Sequence, residues 1–594
     1  MRSLLNTFIQ HLNDGECDIN ELISNGTIEQ SAKGYFVARG MIEYFQEQEV
    51  FISKNDFDNE KFPRHGITDA FDYSAQKYKN DKVYNSRSLY RFVPVPFENQ
   101  LYWDNNLEGR TNHIDYFSDI YKKFDECIIK IYDFTVELPQ YICSIEVESR
   151  EIFSKYINSY ANKSNINKQG NKNDIKINEL VEVLTTVELE NLNSSDYMSG
   201  MEEKLDGNNL KTFISNTQRR LVLHVISFKR ISNYSPIFCP EIGYDGFLGE
   251  SYSPLKTCEF LGRLVENKYP SLSGIPELYN ISVQYISNEI CNGNNLLSEY
   301  ILMCICSRQK LKFEADTENT QNCITNPPQI VLHITMCNKE FVEKLKSFLL
   351  NHFPRLLWIN ANTSNLNYGR LTPYFDSEND CFVTGTLQIP LLRNLIVLDE
   401  TSLEEGELSE KGLENISNIS LLTNYGYVNY GFTNYKIPMK TESNYIILTS
   451  NKKSIFTSTS SISICMDSKD FEANTDCLNP QNKFGIETSH FSKFNFSSIL
   501  KLYISIVGSC VEMLDFDKQT QDYIVEEFVN IRQRSNLSSL VHASTLHTWI
   551  MLARTQALMN GEEKLSKHRF EKFFRLELER LENLSNKRKN TILN

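Results

Sequence analysis

The sequence contains no C-x-x-C pair, no H-E-x-x-H and no G-x-x-x-x-G-K-[ST]. The first two absences remove the usual zinc spacings. The third removes the glycine-rich loop whose backbone N–H groups close around phosphates. The 14 cysteines are scattered, and the nearest pair, Cys304 and Cys306, alternates with Met303 and Ile305 in an apolar run. That setting predicts buried reduced thiols, with neither a disulfide nor a metal role. Excess positive charge is also lacking. The chain has 61 basic and 76 acidic residues, a net −15, and an acidic surface repels a phosphate backbone, so weak or no direct DNA binding is expected. No apolar run is long enough to span a bilayer, so no membrane association is expected. The opening Met1-Arg2-Ser3-Leu4-Leu5 is broken at once by Asn6, Thr7 and Gln10, which leaves no signal-peptide core. A soluble intracellular chain is the expectation, in which a glycosylation match such as Asn25-Gly26-Thr27 goes unused.

What is present is ample core material. With 41% hydrophobic residues, 36 Phe and 30 Tyr in 594 residues, the chain can build two to four domains. Residues 1–155 read as a mixed β domain, OB-like in composition. Its strands are Tyr35–Ile42, Leu89–Pro96, Cys127–Tyr132 and Tyr141–Val147. Pro94 and Pro96 predict an edge strand or an extended exit there. Residues 156–217 are rich in Asn, Lys and Ser and poor in apolar residues. They predict a disordered insertion with a short helix around Glu179–Leu184. Residues 218–295 read as a return strand, Arg220–Ile226, and a connecting region.

Residues 296–490 carry three near-continuous apolar strands, Gln329–Thr335, Asn394–Glu400 and Asn444–Ser450, which suit a parallel sheet buried on both faces. Phe341, Val342, Leu345, Phe348 and Leu349 form one stripe, predicting a helix over Lys339–His352. Tyr425–Lys440 alternates and reads as a β-hairpin whose Tyr427, Tyr430, Phe432 and Tyr435 suit packing or protein contact. Residues 491–594 read as helical. Ile524, Phe528 and Ile531 make one stripe, and Leu546, Ile550, Ala553 and Ala557 make another. Asn560-Gly561 stops the second helix, and Ser566 caps a last one. An α/β core followed by a helical lid is the plan of an AAA+ ATPase module.

In such a module the strand end Asp399-Glu400 stands where a Walker B pair holds Mg²⁺ and polarises the attacking water. The phosphate-loop position falls on Met336-Cys337-Asn338-Lys339, which has no Gly, and neither Ser nor Thr follows the Lys. Asn451 stands at a sensor-like position. The site therefore reads as degenerate, with no catalytic residue, no metal and no cofactor.

One family matches these segments in order. Asp399-Glu400-Thr401-Ser402-Leu403, continuing through Gly406 and Leu408, resembles its D-E-T-x-L-x-x-G-x-L motif. Ser298-Glu299-Tyr300-Ile301-Leu302 is similar to its A-E-Y-L-I helix, and Leu552-Ala553-Arg554 to its V-A-R element. Val93-Pro94-Val95-Pro96 and Cys127–Tyr132 resemble two further segments. The family is the MCM (minichromosome maintenance) complex-binding proteins. The resemblance implies a non-catalytic partner of MCM helicase subunits, built like a degenerate subunit. It further implies promotion of their assembly and of their removal from chromatin in DNA replication, a role in sister-chromatid cohesion, and only indirect chromatin association. A nuclear protein is implied, with the cytoplasm a second location. Thr401, Leu403, Gly406, Leu408 and Arg554 are the candidate partner contacts, and loss of the segment after His490 is expected to weaken partner binding. Lys587-Arg588-Lys589 is either an import signal or a solvated helix end. Two alternatives stay open at this point: an active AAA+ ATPase, and an OB-type single-stranded nucleic-acid binder.

Overall fold

The computed structural model describes residues 35–54, 67–69, 82–99, 126–137, 175–191, 219–231, 235–236, 247–248, 253–268, 272–308, 329–377, 381–391, 393–456, 462–466, 493–510, 514–534 and 537–592. The expected strand Tyr141–Val147, the chain start and residues 156–173 lie outside the described residues. The chain is mixed α/β and divides into two compact units. The first comprises residues 1–96 and 109–232, the second 97–108 and 233–594.

The first unit is a closed sheet. Its ring is made of β1 (Tyr35–Lys54), β2 (Lys82–Val93), β3 (Glu126–Glu137), β4 (Leu180–Asn191) and β5 (Arg219–Arg230), and the three-residue strand Ile67–Asp69 also pairs with β1. They pair in the order β1-β2-β3-β5-β4, and β4 returns to β1. All pairings in this ring are antiparallel except β3 with β5. Closure leaves no free edge around the ring and buries one face of every strand. Ala38, Ile42, Phe92, Cys127, Ile129, Val181, Val183, Leu221 and Leu223 fill the interior at period two. Gly40 sits where β1 crosses β2, and a Cβ there would run into the Val93 carbonyl and the Phe92 ring. The prolines at 94 and 96 follow the end of β2 at Val93, so they terminate a paired strand and cost it no ladder bonds.

β4 stands where a short helix was expected at Glu179–Leu184, within the expected insertion 156–217, of which only residues 175–191 are described. Val181, Val183 and Thr185 alternate with Glu182 and Leu184, a strand period masked by the polar residues on both sides. The strand is stable because it closes the ring between β5 and β1.

In the second unit, a short antiparallel pairing of Ser235–Pro236 with Phe247–Leu248 precedes three helices, α1 (Pro254–Lys268), α2 (Ile275–Glu289) and α3 (Asn295–Cys306). The first two occupy what the sequence offered only as a connecting region. A parallel sheet follows, made of β6 (Val331–Thr335), β7 (Leu356–Asn360), β10 (Asn394–Asp399), β13 (Ser443–Thr449) and β14 (Ile462–Cys465). Its order is β7-β10-β13-β6-β14, and every pairing is parallel. Between β6 and β7 lies α4 (Lys339–His352), and after β7 comes α5 (Thr363–Tyr368). The short strands β8 (Tyr374–Asp376) and β9 (Cys381–Val383) precede β10. α6 (Glu410–Tyr425) leads to the hairpin β11 (Tyr427–Gly431) and β12 (Lys436–Lys440). These four short strands form a second sheet, β9-β8-β11-β12. The chain then runs through α7 (Lys493–Val507), α8 (Lys518–Gln533), α9 (Ala543–Met559) and α10 (Lys567–Ile592).

β6, β10 and β13 are buried at every position, as expected of parallel strands covered on both faces. One hydrophobic core joins them to the helices. It includes Leu332, Ile334, Leu395 and Val397 of the sheet, Tyr300 and Ile301 of α3, Tyr503 and Ile504 of α7, Trp549 of α9 and Phe573 of α10. Cys304 and Cys306 are buried free thiols, pushed up to about 12 by burial. No helix among the described residues is long and apolar enough to cross a membrane.

His352 closes α4 against α7. Its Nδ1 is 2.8 Å from the Phe348 carbonyl, to which it donates, and its Nε2 lies 3.0 Å from Ser497 Oγ, which leaves Nε2 as acceptor. Burial pushes the imidazole down to about 4. A depressed histidine contributes stability above its unfolded value near 6.5 and loses it as pH falls toward 4, at about 1.4 kcal/mol per pH unit. Burial holds Glu299, Glu400 and Glu442 above the ordinary carboxylate range, and these groups act in the opposite direction. The histidine is isolated by difference: wild type should lose stability relative to His352→Gln between pH 6.5 and 4, read from urea unfolding. Parallel pH profiles would rule this out.

Candidate functional site

Parallel register brings the expected site residues to one end of the sheet. Thr335 pairs with Thr449, and Asp399 with Leu448, so the loops after β6, β10 and β13 meet at the carboxyl ends of the strands. That is where open α/β sheets place ligands. Met336, Cys337, Asn338, Lys339, Asp399, Glu400 and Asn451 all lie there.

The loop between β6 and α4 is only Met336, Cys337 and Asn338, so it makes one sharp turn, with Met336 at φ 62°. Two backbone donors of this loop are already used. Met336 N–H donates to the Asn451 carbonyl at 3.4 Å, and Cys337 N–H to the Thr449 carbonyl at 2.9 Å. Asn338 caps α4, its Oδ1 accepting from Phe341 N–H at 2.8 Å. A cap of this kind stabilises a helix by about 1 kcal/mol and fills the helix terminus with a side-chain oxygen. Lys339, exposed, is the first residue of that helix.

The acidic pair is equally occupied. Asp399 Oδ1 accepts from Thr401 N–H at 3.0 Å and from Thr401 Oγ1 at 2.6 Å. The pair makes a local turn that ends β10. Glu400 is buried, and its backbone N–H donates to the Leu448 carbonyl at 2.8 Å. Its carboxylate accepts from the Ser454 hydroxyl. Burial holds its pKa above the ordinary range, opposed by hydrogen bonds from Ser454, Thr449, Phe456 and Ile455. A carboxylate surrounded by these donors anchors the loop after β13 and has little capacity left to orient a water. Asn451 contributes through its backbone, with N–H to Thr449 Oγ1 at 3.2 Å. Among the described residues, no group of three His, Cys, Asp or Glu is placed to hold a metal ion.

The rest of the motif runs over the surface. After Thr401 and Leu403 the chain follows α5 to the start of α6. Thr363 Oγ1 donates to the Glu404 carbonyl at 3.2 Å, and Asn367 Nδ2 to the Glu407 carbonyl at 2.9 Å. Ser409 N–H returns to Asn367 Oδ1 at 2.8 Å, while Ser409 Oγ caps α6 through Gly412 N–H at 3.1 Å. Gly406 passes so close to Thr363 that a Cβ would meet its Cγ2 at 3.1 Å. Leu408 is exposed. Arg554 is placed elsewhere: it is half-buried on α9, its guanidinium 4.9 Å from the centre of the Phe516 ring. In the hairpin, Tyr430 is buried and Phe432 stacks on Tyr435 with centroids 5.0 Å apart. Lys436 is paired with Glu414 at 2.8 Å.

Sequence reasoning did not find Glu577 and Arg580, the buried pair that ties α10 to α3, α9 and β14. An i,i+3 acid–base pair on a charged helix looks like an exposed one. The available signal was its position on the same face as Phe570, Phe573, Phe574 and Leu581.

Comparison with known proteins gives one answer. A family model described as "Mini-chromosome maintenance replisome factor" matches residues 140–584. The chain is 22% identical over 352 residues to the mini-chromosome maintenance complex-binding protein of Bos taurus, covering 59% of this chain and 48% of that one. The Homo sapiens protein of the same name gives 22% over 350 residues, with 59% and 48% covered. The Danio rerio protein gives 23% over 333 residues, with 53% and 47% covered. The chain spans about half the length of the curated relatives it matches. With three quarters of its length, residues 140–584, under the family model, the chain belongs to the mini-chromosome maintenance replisome factor family.

Proposed function

We propose that this chain binds subunits of the MCM replicative helicase and has no catalytic activity of its own. The supporting observation is the self-filled loop end of the parallel sheet, where Asn338, the Thr449 and Asn451 carbonyls and Ser454 occupy the groups that nucleotide chemistry would use. The strand order β7-β10-β13-β6-β14, followed by a helical segment, supports a degenerate AAA+ module. The ring order β1-β2-β3-β5-β4, with its single parallel pairing, supports an OB-type barrel in the first unit. A subunit-like module without nucleotide chemistry suits an adaptor that stands beside ring subunits. Its influence on them comes from differential affinity for their free and assembled states. On this reading the chain promotes assembly of MCM subunits and their removal from chromatin. It supports sister-chromatid cohesion, acts in the nucleus and reaches chromatin only through its partners.

Two measurements test this. Tagged full-length protein, purified from soluble nuclear extract, should bring several MCM subunits with it by mass spectrometry. Recovery of none would sink the proposal. Purified chain with Mg-ATP should release no phosphate above buffer, and Glu400→Gln should change nothing. Turnover that disappears in Glu400→Gln would establish the ATPase alternative.

A further inference from the structure

The segment between β10 and α6 combines three properties on one surface. It is exposed from Glu404 through Lys411, except that nothing in it is loose: the bonds from Thr363, Asn367 and Ser409 fix it at both ends and in the middle. It is acidic, with Glu404, Glu405, Glu407 and Glu410 facing solvent and Lys411 the one basic residue among them. It also holds apolar side chains outward, Leu408 at 38% exposure and Leu413, just beyond on α6, at 57%. Leu408 packs beside Gly412, the residue before Leu413, where a Cβ would lie 3.4 Å from its Cδ2.

A single exposed leucine needs no explanation. Two exposed leucines five residues apart, on and beside a pre-ordered acidic segment, resemble one half of an interface: an apolar centre, a charged surround and little ordering cost on binding. The charge of the rim sets the partner's chemistry. Glutamates in this arrangement repel acidic or phosphate-bearing ligands and accelerate encounter with basic ones.

We infer that this face docks a basic protein segment whose Lys and Arg side chains meet the glutamates and whose apolar recess receives Leu408 and Leu413. The inference rests on the function proposed above and assigns that segment to an MCM subunit. The exposed glutamates favour a protein over a nucleic acid at this face, because they repel a phosphate backbone and attract Lys and Arg side chains.

The test uses the full chain, with the MCM subunits recovered by wild type as the probe. Two variants alter the face, Glu404→Lys/Glu405→Lys/Glu407→Lys and Leu408→Ser. A control, Asp522→Lys/Glu526→Lys, reverses exposed charges on α8. All altered side chains are exposed, so thermal unfolding should be unchanged in each. The expected result is partner binding at least tenfold weaker for both face variants. Wild type and control should bind equally well, and the triple-lysine variant should lose most of the salt dependence of wild type. Equal binding by wild type and the face variants overturns the assignment of this face and leaves the proposed function standing. Equal weakening in the control reduces the effect to net charge and also overturns it. Absence of MCM subunits from the wild-type sample removes both proposals together.

Discussion

Replacing Glu577 with alanine should destabilise the second unit by about 3–5 kcal/mol, the usual cost of breaking a buried ion pair from one side. Glu577 is fully buried on α10. Its Oε1 accepts from Trp549 Nε1 on α9 at 2.7 Å. Its Oε2 accepts from Arg580 Nε at 2.8 Å and from the Tyr300 hydroxyl of α3. Arg580 in turn donates to the Ser463 carbonyl of β14 at 2.9 Å. One carboxylate thus joins three helices, and its arginine carries the link to the sheet. Removing the carboxylate leaves the guanidinium buried without a counter-charge and the indole and phenol without an acceptor. The reverse design separates charge from packing: Glu577→Leu with Arg580→Met should recover most of the loss, because the desolvation cost of both ions disappears with them. Urea unfolding followed by tryptophan fluorescence reads this directly, since Trp549 is itself a partner of the carboxylate. A Glu577→Ala chain as stable as wild type would show that the network contributes nothing.

The network also explains which parts of the fold were legible in the sequence. β6, β10 and β13 announced themselves because burial on both faces demands an unbroken apolar run, and α4 did so through its stripe. β14 did not: Ile462-Ser463-Ile464-Cys465 is four residues in serine-rich sequence, and it becomes a strand only because β6 offers an edge and Arg580 holds the Ser463 carbonyl. β7, Leu356–Asn360, was hidden by its shortness, five residues between Pro354 two positions before it and the polar Asn360–Asn362. β4 was hidden by its polar neighbours. In each case the stabilising partner is distant in sequence, so no local pattern records it.

At the candidate site the residue types were legible and their engagement was not. The missing glycines of the Met336–Lys339 loop were visible at once. That the Met336 and Cys337 N–H groups are spent on Asn451 and Thr449, and that Glu400 is held by Ser454, depends on register across three strands. The segments carrying the family resemblance also divide by physical role. Glu299 and Tyr300 are internal ties, Glu299 accepting from Tyr279 at 2.8 Å and from Gln556 at 3.3 Å. Thr401 and Gly406 shape a turn and a close approach, while Leu408 holds a large apolar side chain at the surface.

A chain ending at His490 should fail to fold its second unit. The sequence invites the opposite expectation, that the helices after this point form a detachable lid whose loss merely weakens partner binding. The core argues against separability. Phe496, Leu500, Tyr503 and Ile504 of α7, Trp549 of α9, and Phe570, Phe573 and Phe574 of α10 are all buried in the same cluster as Leu332, Ile334, Leu395 and Val397. Fully burying one such side chain contributes roughly 1.5–3 kcal/mol. Losing eight of them removes on the order of 12–24 kcal/mol, which meets or exceeds the 5–15 kcal/mol net stability typical of a domain. The truncation also strands polar groups. Arg393, buried at the start of β10, donates to the Ile504 carbonyl at 3.0 Å, and Tyr300 loses Glu577. The expected outcome is aggregation on expression, or a soluble product without a cooperative urea transition. A truncated chain with a sharp transition of its own would show that the sheet and α1–α4 suffice as a core. Because loss of binding in an unfolded fragment says nothing about contact, the partner surface of this protein has to be mapped by exposed substitutions on the intact chain.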